Sequence, residues 1–237
     1  MQKKEPCTDI IVKFMCKKGI KVVAFDLDNT LYNENKYFEA VINFFCETHN
    51  LENNLFIADF YKIERKSKDI FGDLLKSRGM YEPHLQEELF NIYQSVNIKL
   101  TPFPVVPDIL KILKEKSINT AIITNGDLKV QQNKINSLLL NDAVDLIVYA
   151  RKWGREFEKP HPKAFEYLME YFSCLPEEVL FIGDNEENDI AAASKVGMQT
   201  YKVENSDQLY PVINIFNQIN SKYFQNNSKK VLCFHNN

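Results

Sequence analysis

The chain has 237 residues, of which 45% are hydrophobic, and its 29 basic and 32 acidic side chains leave a formal net charge of −3. This length and composition suit one large domain or one domain with an insert. The slightly negative charge, without a long basic tract, argues against a nucleic-acid partner. The sequence contains no run of about 18 apolar residues, so we expect no membrane span. Its five scattered cysteines favour a cytoplasmic protein.

The first predicted strand is followed by two acids. Residues 8–18 predict a short amphipathic helix, and Val22–Phe25 in the stretch KVVAFDLDNTLY predict a buried strand. Asp26 and Asp28 come directly after this strand. Their carboxylates repel each other beside a core unless a cation neutralises them. A cation site is one interpretation, and a turn with helix-capping acids is the other that these residues leave open.

A helical block occupies residues 33–101. Apolar side chains recur there at helical spacing, without a strong strand signal. The stretch TPFPVVP, residues 101–107, contains three prolines and marks a boundary. We therefore predict a core domain formed by 1–32 and 102–237, with 33–101 inserted as a helical cap domain. We further expect the cap to act as a lid that excludes bulk water during a reaction.

The second half of the chain alternates between strands and helices. The stretches INTAIITNG, AVDLIVYA, EEVLFIGD and MQTYKV predict strands. The stretches DILKILKEKS, DLKVQQNKINSLLL, HPKAFEYLMEYF and ENDIAAASKVG predict helices. A last helix is predicted near 207–219, and we expect the polar tail 220–237 to be loosely ordered. This alternation predicts an α/β fold, a Rossmann-like doubly wound parallel sheet covered on both faces.

Polar side chains collect where the predicted strands end, and ligands bind at that edge of an open parallel sheet. They are Asp26, Asp28, Thr124, Asn125, Lys159, Asp184 and Asp189. Oxygen ligands without a nearby histidine or cysteine suit Mg²⁺. A hydroxyl and an ammonium suit a phosphoryl group, and a carboxylate can attack phosphorus to form an aspartyl-phosphate.

Four stretches together resemble the motifs of the haloacid dehalogenase-like (HAD) superfamily, in order. They are FDLDNTLY, IITNG, the lysine of EKPHP and FIGDNEEND, and the resemblance extends over about residues 21–203. A helical insert between the first two motifs is similar to the first cap type of that superfamily. The second acid of the first motif, which its true dehalogenases lack, points to the phosphatase branch.

The resemblance implies catalytic roles for Asp26, Asp28, Thr124 and Lys159, and Asn125 is a predicted phosphate-binding residue. Asp26 would be the nucleophile and a Mg²⁺ ligand. Asp28 would be the general acid and base, and would bind the metal through its backbone carbonyl. Thr124 and Asn125 would hold the transferring phosphoryl group, and Lys159 would neutralise its charge and steady the nucleophile.

The resemblance also implies a metal ligand and two supporting residues. Asp184 would ligate Mg²⁺, Asp189 would support the metal and its waters, and Thr30 would brace the loop of the first motif. The basic loop 151–155 could contact a substrate or a partner chain, or could simply be solvated.

These roles imply a Mg²⁺-dependent phosphatase that hydrolyses a small phosphorylated metabolite, either a sugar phosphate or a nucleotide monophosphate. One alternative is a phosphomutase of the β-phosphoglucomutase kind, which would return the phosphoryl group to its sugar. The other is a non-catalytic phosphate-binding regulatory protein, which the helical insert and Asp28 make a poorer fit.

Overall fold

A computed structural model describes residues 19–63, 67 and 69–216. The predicted helix at 8–18 and the polar tail 220–237 lie outside these residues. The chain divides into two compact units. The first contains 19–32, 102–125 and 142–216, and the second contains 33–101 and 126–141. Within the part of the chain that the structure describes, every helix is too short or too polar to cross a membrane.

The first unit is built on a parallel sheet of five strands. In chain order they are β1 Val22–Phe25, β2 Asn119–Thr124, β3 Leu146–Tyr149, β4 Val179–Gly183 and β5 Gln199–Lys202. Their order across the sheet is β3-β2-β1-β4-β5, and all neighbouring strands run parallel. The predicted α/β fold with a parallel sheet and inserted helices is confirmed.

Eight α-helices accompany these strands in the described residues. They are α1 Asn35–Thr48, α2 Asn53–Phe60, α3 Ile70–Ser77, α4 Pro83–Ser95, α5 Val106–Glu115, α6 Leu128–Ser137, α7 Lys163–Phe172 and α8 Ala192–Lys195. Short 3-10 turns occur at 150–153, 155–157, 176–178 and 206–209, and a π-helical turn spans Glu186–Ala191. A further helical stretch covers 210–216.

One hydrophobic cluster of the first unit lies against one face of the sheet. Alternate residues of the strands share that face and pack with α7 and α8, and among them are Val22, Ala24, Val179, Phe181, Phe165 and Ala193. Every residue of β1 is fully buried, the odd and even positions alike. Burial of both faces is typical of the central strands of a parallel sheet.

The order of the strands identifies the edge where a ligand would bind. Phe25, the last residue of β1, pairs with Ile122 on one side and with Ile182 on the other. From β1 the chain builds outward through β2 and β3, and then returns to place β4 on the opposite side of β1. The carboxyl ends of β1 and β4 therefore form the topological switch point, where open α/β sheets bind ligands.

The second unit combines the inserted helices with α6. Asn133 on α6 donates hydrogen bonds to the Tyr37 hydroxyl at 2.9 Å and to the Val96 carbonyl at 2.8 Å. The ammonium of Lys134 lies 3.2 Å from a Glu34 carboxylate oxygen, and its side chain is only 1% exposed. These contacts attach α6 to the helices of the inserted segment. The assignment of 33–101 as a cap domain stays a prediction.

Candidate active site

Lys159 is the centre of the site. It follows the 3-10 turn at 155–157 and precedes α7. Its ammonium lies 2.6 Å from Asp26 Oδ1 and 2.6 Å from Asp189 Oδ1. The lysine side chain is 2% exposed and that of Asp189 is 1% exposed, so solvent screens these ion pairs little. The first, third and fourth motifs of the sequence are thus joined by one buried cation.

The buried charges shift one another's pKa values. Burial raises the pKa of Asp26 well above its usual range, the Lys159 ammonium lowers it, and the nearby acids Asp189 and Asp28 raise it further. Burial opposes the charge on Lys159, but the carboxylates of Asp26 and Asp189 outweigh burial and raise its pKa. The lysine therefore stays charged, while a site with more acids than cations favours a further positive charge.

Three carboxylates fit a metal ion. One oxygen from each of Asp26, Asp184 and Asp189 lies within 4.8 Å of the others. The group follows β1 and β4, so it lies at the switch point of the sheet. Carboxylate oxygens without histidine or cysteine suit a hard divalent cation. The side chain of Asp28 is not in this group, and its predicted contact through the backbone carbonyl stays a prediction.

A π-helical turn holds Asp189 in place. The backbone N–H of Asn185 donates to Asp189 Oδ2 at 3.0 Å, so both oxygens of this acid are engaged. The side chain of Asn185 in turn accepts hydrogen bonds from the backbone N–H groups of Glu187 and Asn188. Turns of this wide type occur frequently at functional sites. A plain helix was predicted here, because residue spacing does not distinguish a π-helical turn from an α-helix.

Gly183 makes room for Asp189. A Cβ atom at this position would lie 2.6 Å from side-chain atoms of Asp189, closer than non-bonded carbon atoms approach. The glycine before Asp184 is therefore required by close packing, since its backbone does not adopt a positive φ.

Tyr32 contacts the predicted general acid and base. Its hydroxyl donates a 2.6 Å hydrogen bond to Asp28 Oδ1, and the tyrosine is fully buried. Tyr32 is not among the site residues predicted from the sequence. The available signal was its position at the end of the first motif, four residues after the acid.

The second motif contributes Thr124 and Asn125 at the end of β2. Thr124 is 1% exposed, and its hydroxyl donates to the Asn125 carbonyl at 3.3 Å. The side-chain amide of Asn125 bonds to the backbone of Lys159. Thr30 is buried, and its hydroxyl has no hydrogen-bond partner among the residues that the structure describes, so its bracing role stays a prediction.

The basic loop 151–155 packs within the first unit. Arg151 forms a bidentate pair with Glu158, with N–O distances of 2.9 and 3.1 Å. The ammonium of Lys152 lies 4.5 Å from the ring centre of Trp153 and 4.6 Å from that of Tyr167. Two of its basic side chains therefore have intramolecular partners.

The family comparison decides among the classes of protein that carry such a site. A model of the family described as haloacid dehalogenase-like hydrolase matches residues 23–203, which contain all four motifs. The chain belongs to this family. The recognition made from the four motifs is confirmed, and so is the prediction of an enzyme.

Two relatives of this haloacid dehalogenase-like hydrolase are phosphatases. The glyceraldehyde 3-phosphate phosphatase of Methanocaldococcus jannaschii is 28% identical over 195 residues, covering 78% of this chain and 85% of the relative. The pyrophosphatase PpaX of Bacillus cereus is 27% identical over 189 residues, covering 78% of this chain and 83% of the relative.

A solved structure shares the fold. The HAD-hydrolase YfnB of Bacillus subtilis, bound to magnesium, matches with a TM-score of 0.63 and 20% identity. The match covers 83% of this chain and 100% of that one.

Proposed function

We propose that this haloacid dehalogenase-like hydrolase is a Mg²⁺-dependent phosphatase that hydrolyses a small phosphorylated metabolite through an aspartyl-phosphate. The observation that carries the proposal is the contact of the Lys159 ammonium with both Asp26 and Asp189, beside three carboxylates that converge within 4.8 Å. A buried nucleophile, a fixed cation and a metal-binding group are the parts that transfer of a phosphoryl group requires.

Asp26 is the proposed nucleophile. Lys159 holds Oδ1, and this contact orients the carboxylate. In the first step an oxygen of Asp26 attacks phosphorus, and the bond from phosphorus to the substrate oxygen breaks. Asp28, two residues further along, donates a proton to the departing oxygen. In the second step Asp28 takes a proton from a water molecule as that water attacks phosphorus. The bond from phosphorus to the Asp26 oxygen breaks, so phosphate leaves and both acids are restored.

The phosphoryl group would be held by Thr124 and Lys159. The hydroxyl and the ammonium are a donor and a fixed positive charge, which stabilise the charge of the transferring group. Asp26 and Asp184, with the backbone carbonyl of Asp28, would hold Mg²⁺. When bound, the ion neutralises the clustered acids and the phosphate oxygens. Asp189 has both oxygens engaged by Lys159 and Asn185, which favours the supporting role beside the metal that is proposed for it.

Phosphorylated three-carbon sugars are the first substrates to test. A relative named for glyceraldehyde 3-phosphate and one named for pyrophosphate both match over more than three quarters of this chain. We propose glyceraldehyde 3-phosphate or a related sugar phosphate as the substrate. Nucleoside monophosphates and pyrophosphate form the comparison set.

Phosphate release tests the proposed function. The full chain is assayed with Mg²⁺ against this panel, beside an Asp26→Asn variant prepared in the same way. We expect phosphate release from at least one sugar phosphate, and a loss of about 10³-fold or more in the variant. Release without a bisphosphate activator separates a phosphatase from a mutase. Equal turnover by both proteins would overturn the assignment of Asp26.

A further inference from the structure

The side chain of Asn125 forms two hydrogen bonds with the backbone of a single residue. Asn125 Nδ2 donates to the Lys159 carbonyl at 2.8 Å, and the Lys159 N–H donates to Asn125 Oδ1 at 2.8 Å. The two residues are 34 positions apart in the chain. The amide thus satisfies the donor and the acceptor of Lys159, as a neighbouring strand would.

Lys159 needs such a partner because its segment belongs to no strand. It lies between the 3-10 turn Arg155–Phe157 and the start of α7 at Lys163. Asn125 directly follows β2, which is paired to β1 and β3 on either side. The amide therefore ties an irregular segment to a central strand of the sheet.

Fixing the backbone of Lys159 limits where its ammonium can reach. At the far end of the side chain, the ammonium lies 2.6 Å from Asp26 and 2.6 Å from Asp189. Confining a lysine side chain to one conformation costs conformational entropy. Because the backbone of Lys159 is held at two points, only its side chain remains to be ordered. The ion pairs therefore have to offset less conformational entropy.

We propose that Asn125 is a positioning residue, whose amide holds Lys159 so that the ammonium meets the nucleophile Asp26. The inference rests on the proposed function for its catalytic consequence, while the clamp itself is a structural statement. The Asn125 side chain is thereby assigned to Lys159, whereas the sequence pattern predicts that this residue binds phosphate. Asn125 therefore acts through the lysine.

A double-mutant cycle separates these two roles. The values of kcat/KM are measured for the wild type, Asn125→Ala, Lys159→Met and the double variant, on the best substrate of the panel. Misplacing a catalytic group by about 1 Å can cost about 10²-fold. With Lys159 present, we expect Asn125→Ala to lower kcat/KM by about 10- to 100-fold. In the Lys159→Met background we expect the same substitution to lower it by less than about threefold. Equal fold-losses in both backgrounds would overturn the proposal.

A second measurement does not depend on turnover. Proton–nitrogen NMR correlation spectra detect protected lysine ammonium groups, and the Lys159 signal is identified by its absence in Lys159→Met. We expect this signal to shift and its exchange with water to quicken in Asn125→Ala. An unchanged signal would overturn the clamp. A changed signal in a protein that releases no phosphate would support the clamp and reject the proposed function.

Asn125→Asp provides a matched variant if the alanine variant fails to fold. It keeps the side-chain volume and the acceptor for the Lys159 N–H, but it loses the donor to the Lys159 carbonyl. We expect Asn125→Asp to lower kcat/KM by a factor of the same order as Asn125→Ala when Lys159 is present, and much less in the Lys159→Met background. An additive effect of Asn125→Asp in the cycle would overturn the proposal.

Discussion

The Tyr32 hydroxyl donates a 2.6 Å hydrogen bond to Asp28 Oδ1, and so a buried phenol touches the proposed general acid and base. Asp28 is half-buried, and its partner is four residues along the same loop. A carboxylate that delivers a proton must be held in a position from which it reaches the departing oxygen. The tyrosine supplies this constraint from a side chain that is itself enclosed by the core.

Replacing Tyr32 with phenylalanine tests this relationship. The substitution removes only the hydroxyl, and we expect kcat/KM to fall about tenfold on an alkyl phosphate, since general acid catalysis contributes about 10²–10⁴-fold in total. The loss should be smaller on p-nitrophenyl phosphate, whose leaving group departs without help from an acid. Tyr61→Phe, at an exposed tyrosine, is the matched control. An equal loss on both substrates would argue against a role through Asp28.

The close packing of Asp189 against Gly183 predicts what a methyl group at position 183 would do. Since a Cβ there would lie 2.6 Å from Asp189, Gly183→Ala must displace that acid from Lys159. We expect a loss of about 1–3 kcal/mol in the free energy of unfolding, as for other overpacked sites. Activity should fall as well. Urea denaturation and phosphate release measure the two effects, with Lys195→Ala on the exposed side of α8 as the control.

The sheet and the order of the site residues could be predicted from the sequence. Runs of buried apolar residues such as Val22–Phe25 end in acids or hydroxyls, and this pattern is local. Contacts between distant residues were not predictable in the same way. Nothing near Asn125 in the sequence indicates that its amide bonds to a backbone 34 positions away, because side-chain hydrogen bonds have no period along a chain.

Lys134 shows a second reason why prediction from sequence fails. A lysine in the stretch QQNKINS is typical of a solvated helix face. Here it is buried, with Glu34 at 3.2 Å and the ring centres of Tyr37 and Tyr93 at 5.3 and 5.8 Å. Whether a polar helix face is exposed thus depends on residues distant in the sequence, such as Glu34 and Tyr93, which pack against it only in the folded chain. The grouping of α6 with the inserted helices follows from such contacts.

Removing the Lys134 ammonium should therefore destabilise the second unit. Lys134→Ala leaves the partly buried Glu34 carboxylate without this cation and removes the contacts with the two tyrosine rings. Loss of one member of a buried ion pair costs about 3–5 kcal/mol. We expect a drop toward the lower end of that range in the free energy of unfolding, measured by urea denaturation. Lys129→Ala, an exposed lysine on the same helix, should change it by less than about 0.5 kcal/mol.

The buried thiol of Cys46 gives a prediction about pH. Burial raises the pKa of this thiol to about 11, although the Arg78 charge acts to lower it. The neutral thiol is favoured in the folded protein, so its contribution to stability is complete below the unfolded pKa of about 8.5 and is lost as pH rises toward 11. At pH 8 we expect iodoacetamide to label Cys46 only after unfolding in urea, as read by peptide mass spectrometry. Rapid labelling of the native protein would contradict this burial.

The choice between Mg²⁺ and Ca²⁺ tests the acid cluster most directly. Asp189 has both oxygens engaged, and Lys159 holds one oxygen of Asp26, so few carboxylate oxygens remain for a metal. Mg²⁺ keeps near-octahedral geometry and retains waters, whereas Ca²⁺ takes more oxygens at longer distances. Ca²⁺ should therefore recruit the second oxygen of Asp26, which is the oxygen that we propose attacks phosphorus.

We accordingly expect phosphate release to require Mg²⁺, to stop on addition of a chelator and to be inhibited by Ca²⁺ in competition with Mg²⁺. Steady-state assays over a grid of both ions measure the competition. Thermal unfolding provides a readout without turnover, since an ion that binds the folded state raises the midpoint. Both ions should raise it in the wild type, and neither should do so as strongly in Asp184→Asn. Equal activity with Ca²⁺, or full activity in chelator, would contradict the proposed use of Asp26.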